Sequence, residues 1–191
     1  MQHSIFGTDG IRGRVGSEPI TPLSLVKIGY CFAKEMFGNG KGIVIIGHDG
    51  RESSDMIIKN LSAGISAQGS EVQNSGLIST PALAVYLSIK SIESIVGIQV
   101  TASHNNYIDN GMKFFNHTGI KISEINESNI NSLFYNLESN NYQDVIIRKS
   151  DISIKETYLE FIKNYISTKL PILLKSSKKL SIIIDCANGA L

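Results

Sequence analysis

The stretch Ser94–Phe115 reads SIVGIQVTASHNNYIDNGMKFF, a polar segment between two apolar ones. The residues before Thr101 are apolar and mostly β-branched, which predicts a buried strand. From Met112 an extended apolar pattern resumes. Between the two, Ser103 stands among hydrogen-bonding side chains and turn formers, a composition typical of exposed loops that carry chemistry. The stretch therefore predicts a strand, a loop with a candidate nucleophile, and a second extended segment.

Upstream of this stretch, predicted strands and helices alternate. Helix starts are predicted at Thr21–Pro22, at Ser53 or Ser54, and at Thr80–Pro81. The other predicted strands are Gly42–Gly47 and Glu71–Gly76. This alternation predicts an α/β domain, a sheet of mostly parallel strands with helices on both faces. Polar loops then leave the strands at one edge, where ligands bind in such sheets.

Downstream, Gly119–Ile122 is a candidate short strand and Ser123 a candidate helix cap. A helix over 153–167 carries aromatic side chains on one face, which we interpret as packing. A basic linker is predicted at 175–179, and 180–185 reads as a new buried strand. The predicted organisation is thus a first domain over 1–140, a connecting helix and linker over 141–179, and the first strand of a second domain over 180–191.

The composition indicates a globular protein without an electrostatic preference for nucleic acid or membranes. The 191 residues are 42% hydrophobic and 18% charged, with a formal net charge of +1. Two cysteines in no metal-like spacing fit a reducing compartment. The first residues lack the basic and apolar regions of a signal peptide, so we expect a cytoplasmic protein. The oligomeric state stays open.

Two further loops carry candidate functional side chains. In Phe6–Gly13, glycines surround an acid and an arginine, and Arg12 could present its planar guanidinium to a phosphate or carboxylate. An ordinary glycine turn with a solvated arginine is the alternative. Asp49 and Arg51 follow a predicted strand. These two residues and Asp9 each fit a role in fixing loop conformation at least as well as a role in binding.

Five segments together resemble the α-D-phosphohexomutase family, in the order and at the spacing of its motifs. They are Phe6–Gly13 (FGTDGIRG), Gly47–Ser54 (GHDGRESS), Thr80–Ala84 (TPALA), Thr101–Phe115 (TASHNNYIDNGMKFF) and Asp185–Ala190 (DCANGA). The resemblance implies that Ser103 carries a phosphoryl group and exchanges it with a sugar phosphate through a bisphosphate intermediate. Within the family it points to interconversion of glucosamine 6-phosphate and glucosamine 1-phosphate, a step toward cell-wall precursors. The branches acting on mannose or glucose phosphates are the alternative.

The resemblance also implies roles for the neighbours of Ser103. Arg12 and Lys113 occupy the family positions of the cations that handle the proton at the sugar hydroxyl, and His104 and Asn105 orient the loop. The turn that brings Lys113 back toward Ser103 is shaped by Asp109, Asn110 and Gly111. The family metal is Mg²⁺, with the phosphate on Ser103 as one ligand. A small-molecule sugar phosphate is the expected partner.

The sequence departs from the family pattern in three places. Asn106 stands where the family usually has proline, which removes a constraint on φ, and Gly50 replaces a commoner threonine. The metal-binding loop of the form Asp-Gly-Asp-x-Asp-Arg is absent, since the aspartates stand at positions 9, 49, 55, 109, 144, 151 and 185. We therefore expect the chain alone not to catalyse the full reaction, and a non-catalytic remnant is a further alternative.

A serine hydrolase using Ser103 and His104 is disfavoured. The Gly-x-Ser-x-Gly motif is absent. Adjacent residues of an extended segment also point to opposite sides, which would place His104 badly for removing the Ser103 proton.

Overall fold

A computed structural model describes residues 4–137, 148–149, 153–169, 181–186 and 189–190. Strands and helices alternate through most of the first range. The strands are β1 Ile11–Arg14, β2 Ile43–His48, β3 Glu71–Leu77, β4 Ile95–Val100, β5 Asp109–Phe115 and β6 Arg148–Lys149. The helices are α1 Pro22–Phe37, α2 Ser54–Gln68, α3 Thr80–Lys90, α4 Glu124–Asn136 and α5 Ile154–Lys169. None of the helices in these ranges is long and apolar enough to cross a membrane.

The strands form one mixed sheet in the order β1-β5-β4-β2-β3-β6. β2 lies parallel to β3 and β4, and β3 lies parallel to β6. β5 is antiparallel to both β4 and β1. The α/β prediction is confirmed, but the sheet is less uniformly parallel than expected. The connection from β4 to β5 is too short for a parallel crossover, so β5 returns beside β4 as a hairpin.

Two apolar cores lie on opposite faces of this sheet. One core joins α1, α2 and α4 to strand residues such as Val44, Ile46 and Phe114. The other joins α3 and the start of α5 to Ile45 and Phe115. Consecutive strand residues therefore serve opposite cores, as the period of two in a strand requires. Helices on both faces leave the strand ends free to form a site.

Helices α1 and α2 approach each other through glycines. A Cβ atom on Gly64 would lie 1.9 Å from the Val26 carbonyl oxygen, and one on Gly29 would lie 2.2 Å from the Leu61 carbonyl oxygen. Residues with side chains at these two positions would hold the backbones apart. The α1–α2 contact, which fills one face of the sheet, therefore depends on both glycines.

The helix starts of α1 and α4 agree with the sequence, α2 begins at the expected place without a cap bond, and α3 differs. Thr21 caps α1 through a bond from the Ser24 amide, and Ser123 forms a capping box with Asn126 in α4. Ser53 precedes α2 without a side-chain cap bond. In α3 the cap position is Ser79, and Thr80 is already helical. Pro81 fits either interpretation because proline is tolerated throughout the first turn.

The segment Phe6–Gly13 does not end in a loop, since Ile11–Arg14 is the edge strand β1. Its four residues pair with Asp109–Met112. Ile11 is the only fully buried apolar residue of this strand, and one such residue does not form a pattern that predicts a strand. The strand forms because it pairs with β5. Conversely, Gly119–Ile122 forms only an isolated bridge between Phe115 and Lys121.

Near the end of the described chain one prediction is confirmed only in part, since Tyr158 of α5 packs against the second core, and one is wrong. In α5, Ile154 is buried, but Phe161 and Tyr165 are 38% and 53% exposed, so the aromatic face is only partly packed. Residues 181–186 form no strand, and Ile183 is 98% exposed. An apolar run becomes a strand only beside a partner strand, and the described residues provide none there. The predicted linker at 175–179 lies outside the described residues.

Candidate active site

The loop predicted to be functional connects β4 to β5 and lies at the carboxyl end of β4. Ser103 is exposed, and its φ of 57° lies in the left-handed region that non-glycine residues rarely adopt. The loop is therefore turned at Ser103, which corrects the extended geometry assumed in the argument against a hydrolase. Within the described residues no hydrogen bond joins Ser103 to His104.

Arg51 reaches this loop from the end of β2. Its Nη1 donates to the carbonyls of Asn106 at 2.8 Å and Asp109 at 3.0 Å. Its Nη2 donates to the carbonyls of Ser103 and Asn105, both at 3.0 Å. One guanidinium thus binds four backbone oxygens of a single loop. The position of Arg51 just beyond β2, beside β4, allows this because parallel strands end at the same edge.

Asp49 links the same arginine to the start of the loop. Its Oδ2 accepts from Arg51 Nε at 3.2 Å and from Thr101 Oγ1 at 2.7 Å. Thr101 Oγ1 in turn accepts from the Ser103 amide at 2.9 Å. The structure therefore places Asp49 and Arg51 in the role of fixing loop conformation that their sequence positions allowed.

Arg12 and Lys113 are brought together by Asp9. Arg12 Nη2 and Lys113 Nζ both lie 2.7 Å from Asp9 Oδ2. The two cations come from the adjacent antiparallel strands β1 and β5, in which Arg12 pairs with Gly111. The Nε of Arg12 is buried and has no partner among the described residues. One carboxylate thus binds two cations that are far apart in the sequence.

The electrostatics of Asp9 follow from these neighbours. The hydrogen bond from Lys113 lowers the pKa of Asp9 below its ordinary value of 3.8, and the charges of Lys113, Arg12 and Lys121 lower it further, while partial burial opposes them. Asp9 is therefore ionised throughout the neutral range. Because its pKa is lower when folded, its stabilising contribution is complete above pH 3.8 and is lost as pH falls through the lower folded value.

The substitution Asp9→Asn is expected to lower the melting temperature at pH 7, because two cations lose a shared carboxylate. The deficit should close as pH falls below 3.8 toward the lower folded-state pKa of Asp9. Thermal unfolding of both proteins between pH 3 and pH 7 measures this. Glu93→Gln, which removes an exposed carboxylate elsewhere, is the control. A deficit independent of pH would contradict the assigned role of the charge.

Ser103, His104 and Lys113 line one open cleft of about 670 Å³ at the carboxyl ends of β2 and β4. Asp49, Arg51 and Thr101 form part of its wall. Arg12 is not among the lining residues and instead borders a neighbouring cavity of similar volume. The structure therefore brings three of the four predicted catalytic residues to one cleft and connects the fourth to it through Asp9.

A match to known sequences covers this whole arrangement. Residues 3–141, which include β1 to α4, fit the profile described as phosphoglucomutase/phosphomannomutase, alpha/beta/alpha domain I. The chain belongs to this family. The resemblance found in its motifs is thereby confirmed at the level of the family and of its first domain.

Curated relatives carry a more specific name. A phosphoglucosamine mutase of Coxiella burnetii (strain Dugway 5J108-111) is 37% identical over 191 residues, all of this chain and 41% of that protein. A phosphoglucosamine mutase of Histophilus somni (strain 2336) is 38% identical over 190 residues, 99% of this chain and 41% of that protein. The chain thus spans about two fifths of the length of these relatives.

Solved structures of the family share the fold. A putative phosphomannomutase from Thermus thermophilus superposes with a TM-score of 0.72 at 27% identity, covering 85% of this chain and 36% of that one. A phosphoglucomutase/phosphomannomutase family protein from Burkholderia thailandensis gives 0.63 at 22% identity, over 81% and 34% of the two chains, which supports the fold alone.

The described residues do not by themselves fit the Mg²⁺ that the resemblance implies. Among them, no three His, Cys, Asp or Glu side chains are grouped so that they could hold a metal ion. Three carboxylates beside the loop already have partners: Asp9 binds Arg12 and Lys113, Asp49 binds Arg51 and Thr101, and Asp109 accepts from Asn105. Ser103 could add a single oxygen ligand through a phosphate. We therefore assign no chemical step to a metal.

Asn110 and Gly111 are expected from the resemblance to shape a turn, but both lie in strand β5. Asn110 is fully buried, its Nδ2 donates to Ser53 Oγ at 2.8 Å and its Oδ1 accepts from the Gly111 amide. Gly111 is required because a Cβ there would lie 2.3 Å from the Ile11 carbonyl oxygen. The motif gave their positions, but only the packing of β5 against β1 and α2 gives the reason for these residue types.

Proposed function

We propose that this chain supplies the phosphoserine half of a phosphoglucosamine mutase. The observation that carries the proposal is that Ser103 and Lys113 line the same cleft, while Asp9 couples Lys113 to Arg12. A phosphoserine carries roughly −1.5 to −2 charges at neutral pH, so it requires nearby cations. Lys113 and Arg12 each retain N–H donors beyond their bond to Asp9 and are suited to this task.

The resemblance to the family implies the reaction, and the exposed position of Ser103 leaves its Oγ accessible to a sugar hydroxyl. A sugar hydroxyl attacks the phosphorus of phosphorylated Ser103, the bond from phosphorus to Oγ breaks, and a bisphosphate leaves free Ser103. The proton lost by the sugar hydroxyl ends on Ser103 Oγ, and Lys113 and Arg12 stay cationic and cancel charge on the phosphate. The bisphosphate then turns and returns its other phosphate to Ser103 by the reverse step. The protein contributes positioning and cancellation of charge, which are the main demands of phosphoryl transfer.

Glucosamine phosphates are the proposed substrates, because relatives 37% and 38% identical over nearly the whole chain are named phosphoglucosamine mutases. The structure titled putative phosphomannomutase is 27% identical and keeps mannose phosphates as the alternative. We place the reaction in the cytoplasm, where the unpaired Cys31 and Cys186 would stay reduced.

Incubation with glucosamine 1,6-bisphosphate and Mg²⁺ tests the proposal directly. Phosphate should appear on Ser103, as mapped by peptide mass spectrometry, and not in the variant Ser103→Ala. If glucosamine phosphates are the substrates, uptake should be faster than from the mannose or glucose bisphosphates. Faster uptake from mannose 1,6-bisphosphate would favour the alternative substrate. No phosphate on Ser103 from any of the three would favour a non-catalytic remnant.

A further inference from the structure

Ser103 is held through both of its backbone polar groups by three connected side chains, those of Arg51, Asp49 and Thr101. Its carbonyl accepts from Arg51 Nη2 at 3.0 Å, and its amide donates to Thr101 Oγ1 at 2.9 Å. Thr101 Oγ1 donates to Asp49 Oδ2, which accepts from Arg51 Nε. The hydrogen bonds therefore close a ring that begins and ends at Ser103.

We propose that Asp49 and Arg51 act as a clamp that sets the conformation of Ser103 for phosphoryl transfer, an inference that rests on the proposed function. The φ of 57° at Ser103 is disfavoured for a residue with a side chain, so its surroundings must hold it there. The ring fixes the two peptide groups that flank this φ and ψ. Arg51 and Asp49 are therefore positioning residues that act through the loop backbone.

The donors of Arg51 show why it is not a phosphate ligand. A guanidinium has five N–H groups, and all five of Arg51 are used, one on Asp49 and four on loop carbonyls. Binding a phosphate would require breaking these bonds. Arg12, in contrast, makes one bond to Asp9 and has a buried Nε without a partner among the described residues. The two arginines near the loop thus have separate tasks.

The clamp also compensates for the unusual Asn106. A proline at this position would restrict φ, and asparagine does not. Arg51 Nη1 binds the Asn106 carbonyl at 2.8 Å, and the Asp109 amide donates to the same oxygen at 3.0 Å. The backbone at Asn106 is therefore fixed by hydrogen bonds, whereas the family pattern has proline, whose ring restricts φ, at this position.

Amide exchange and phosphate uptake, measured on the same variants of the full chain, test the clamp. In Arg51→Ala and Arg51→Lys the Ser103 amide, followed by NMR, should exchange at least about tenfold faster, because lysine lacks the planar fork. Phosphate uptake by Ser103 should fall about 100-fold, the effect of misplacing a reacting group by about 1 Å. Binding of glucosamine 1,6-bisphosphate should change little, whereas Arg12→Ala should weaken binding and leave loop exchange unchanged.

Matched variants separate the clamp from a general loss of structure. Thr101→Val removes the hydroxyl that links Ser103 to Asp49 and should act like Arg51→Ala, whereas Thr101→Ser should retain wild-type exchange. Arg14→Ala, which removes an exposed arginine from β1, is the charge control. Amides of β2 report global opening. If Arg51→Ala unfolds the protein, the two Thr101 variants decide the question alone.

The outcomes distinguish this inference from the function on which it rests. Unchanged Ser103 exchange in both Arg51→Ala and Thr101→Val would overturn the clamp, whatever the phosphate uptake. Wild-type amide exchange and phosphate uptake in Arg51→Lys would contradict the requirement for a planar guanidinium. If wild-type protein takes up no phosphate, the proposed function fails. The exchange measurements still show whether Asp49 and Arg51 fix the backbone of Ser103.

Discussion

The substitution Gly111→Ala is expected to separate β1 from β5 and to abolish phosphate uptake by Ser103. The new Cβ would lie 2.3 Å from the Ile11 carbonyl oxygen and 2.9 Å from Arg12 Cγ. Backbone atoms cannot yield as a flexible side chain can, so the strands must part. The free energy of unfolding should fall by about 3 kcal/mol, the upper part of the range for overpacking. Phosphate uptake should fall at least about 100-fold as Arg12 moves away from Lys113.

Gly13→Ala is the matched control, because Gly13 lies in the same pair of strands. A Cβ there would meet Ile20 Cγ1 at 3.4 Å and Pro19 Cδ at 3.5 Å, which are ordinary contact distances. Its stability and phosphate uptake should remain near those of the wild type. Urea unfolding and the mass-spectrometric assay for Ser103 provide both measurements. Equal behaviour of the two alanine variants would refute the close approach of β1 to β5.

The substitution Gly64→Ala should destabilise the protein although alanine is the better helix former. In an open helix the change would add about 1 kcal/mol of stability. Here the new Cβ would lie 1.9 Å from the Val26 carbonyl oxygen and 2.6 Å from the Tyr30 amide nitrogen. We expect a net loss of about 3 kcal/mol and a melting temperature lower by about 5–10 °C.

Ser66→Ala serves as the control within the same helix. Ser66 is only partly buried, and its replacement should change stability by less than about 0.5 kcal/mol. Calorimetry of both variants gives the comparison. A Gly64→Ala protein as stable as the wild type would mean that α1 and α2 are not in close backbone contact, and one face of the sheet would then need a different arrangement.

Sequence was sufficient where the determinants are local. Thr21 with Pro22, and Ser123, predicted two helix starts because a cap is a contact between residues three apart. The apolar run at Ile95–Val100 predicted β4 for a similar reason. The loop after it was identified from the types of residue that it concentrates. These features need no knowledge of distant parts of the chain.

The remaining features depend on contacts that no local pattern records. β1 exists because β5 lies beside it, and Asp9 becomes a bridge only when that pairing places Arg12 next to Lys113. The four carbonyls that Arg51 binds belong to a loop more than 50 residues away in sequence. The motif indicated that these residues matter, but their tasks follow from the order of strands in the sheet.

The pairing of β1 with β5 has a consequence for the order in which the protein folds. Next to this strand pair, Lys121 Nζ donates to the Thr8 carbonyl, and the two residues are 113 positions apart in the sequence. Contacts of such length form after the chain between them has become compact, because closing a long loop costs entropy before the contact repays it. The group formed by Asp9, Arg12 and Lys113 therefore assembles late. During synthesis it cannot form until β5 has left the ribosome. A phosphate on Ser103 would then mark a domain whose folding is complete.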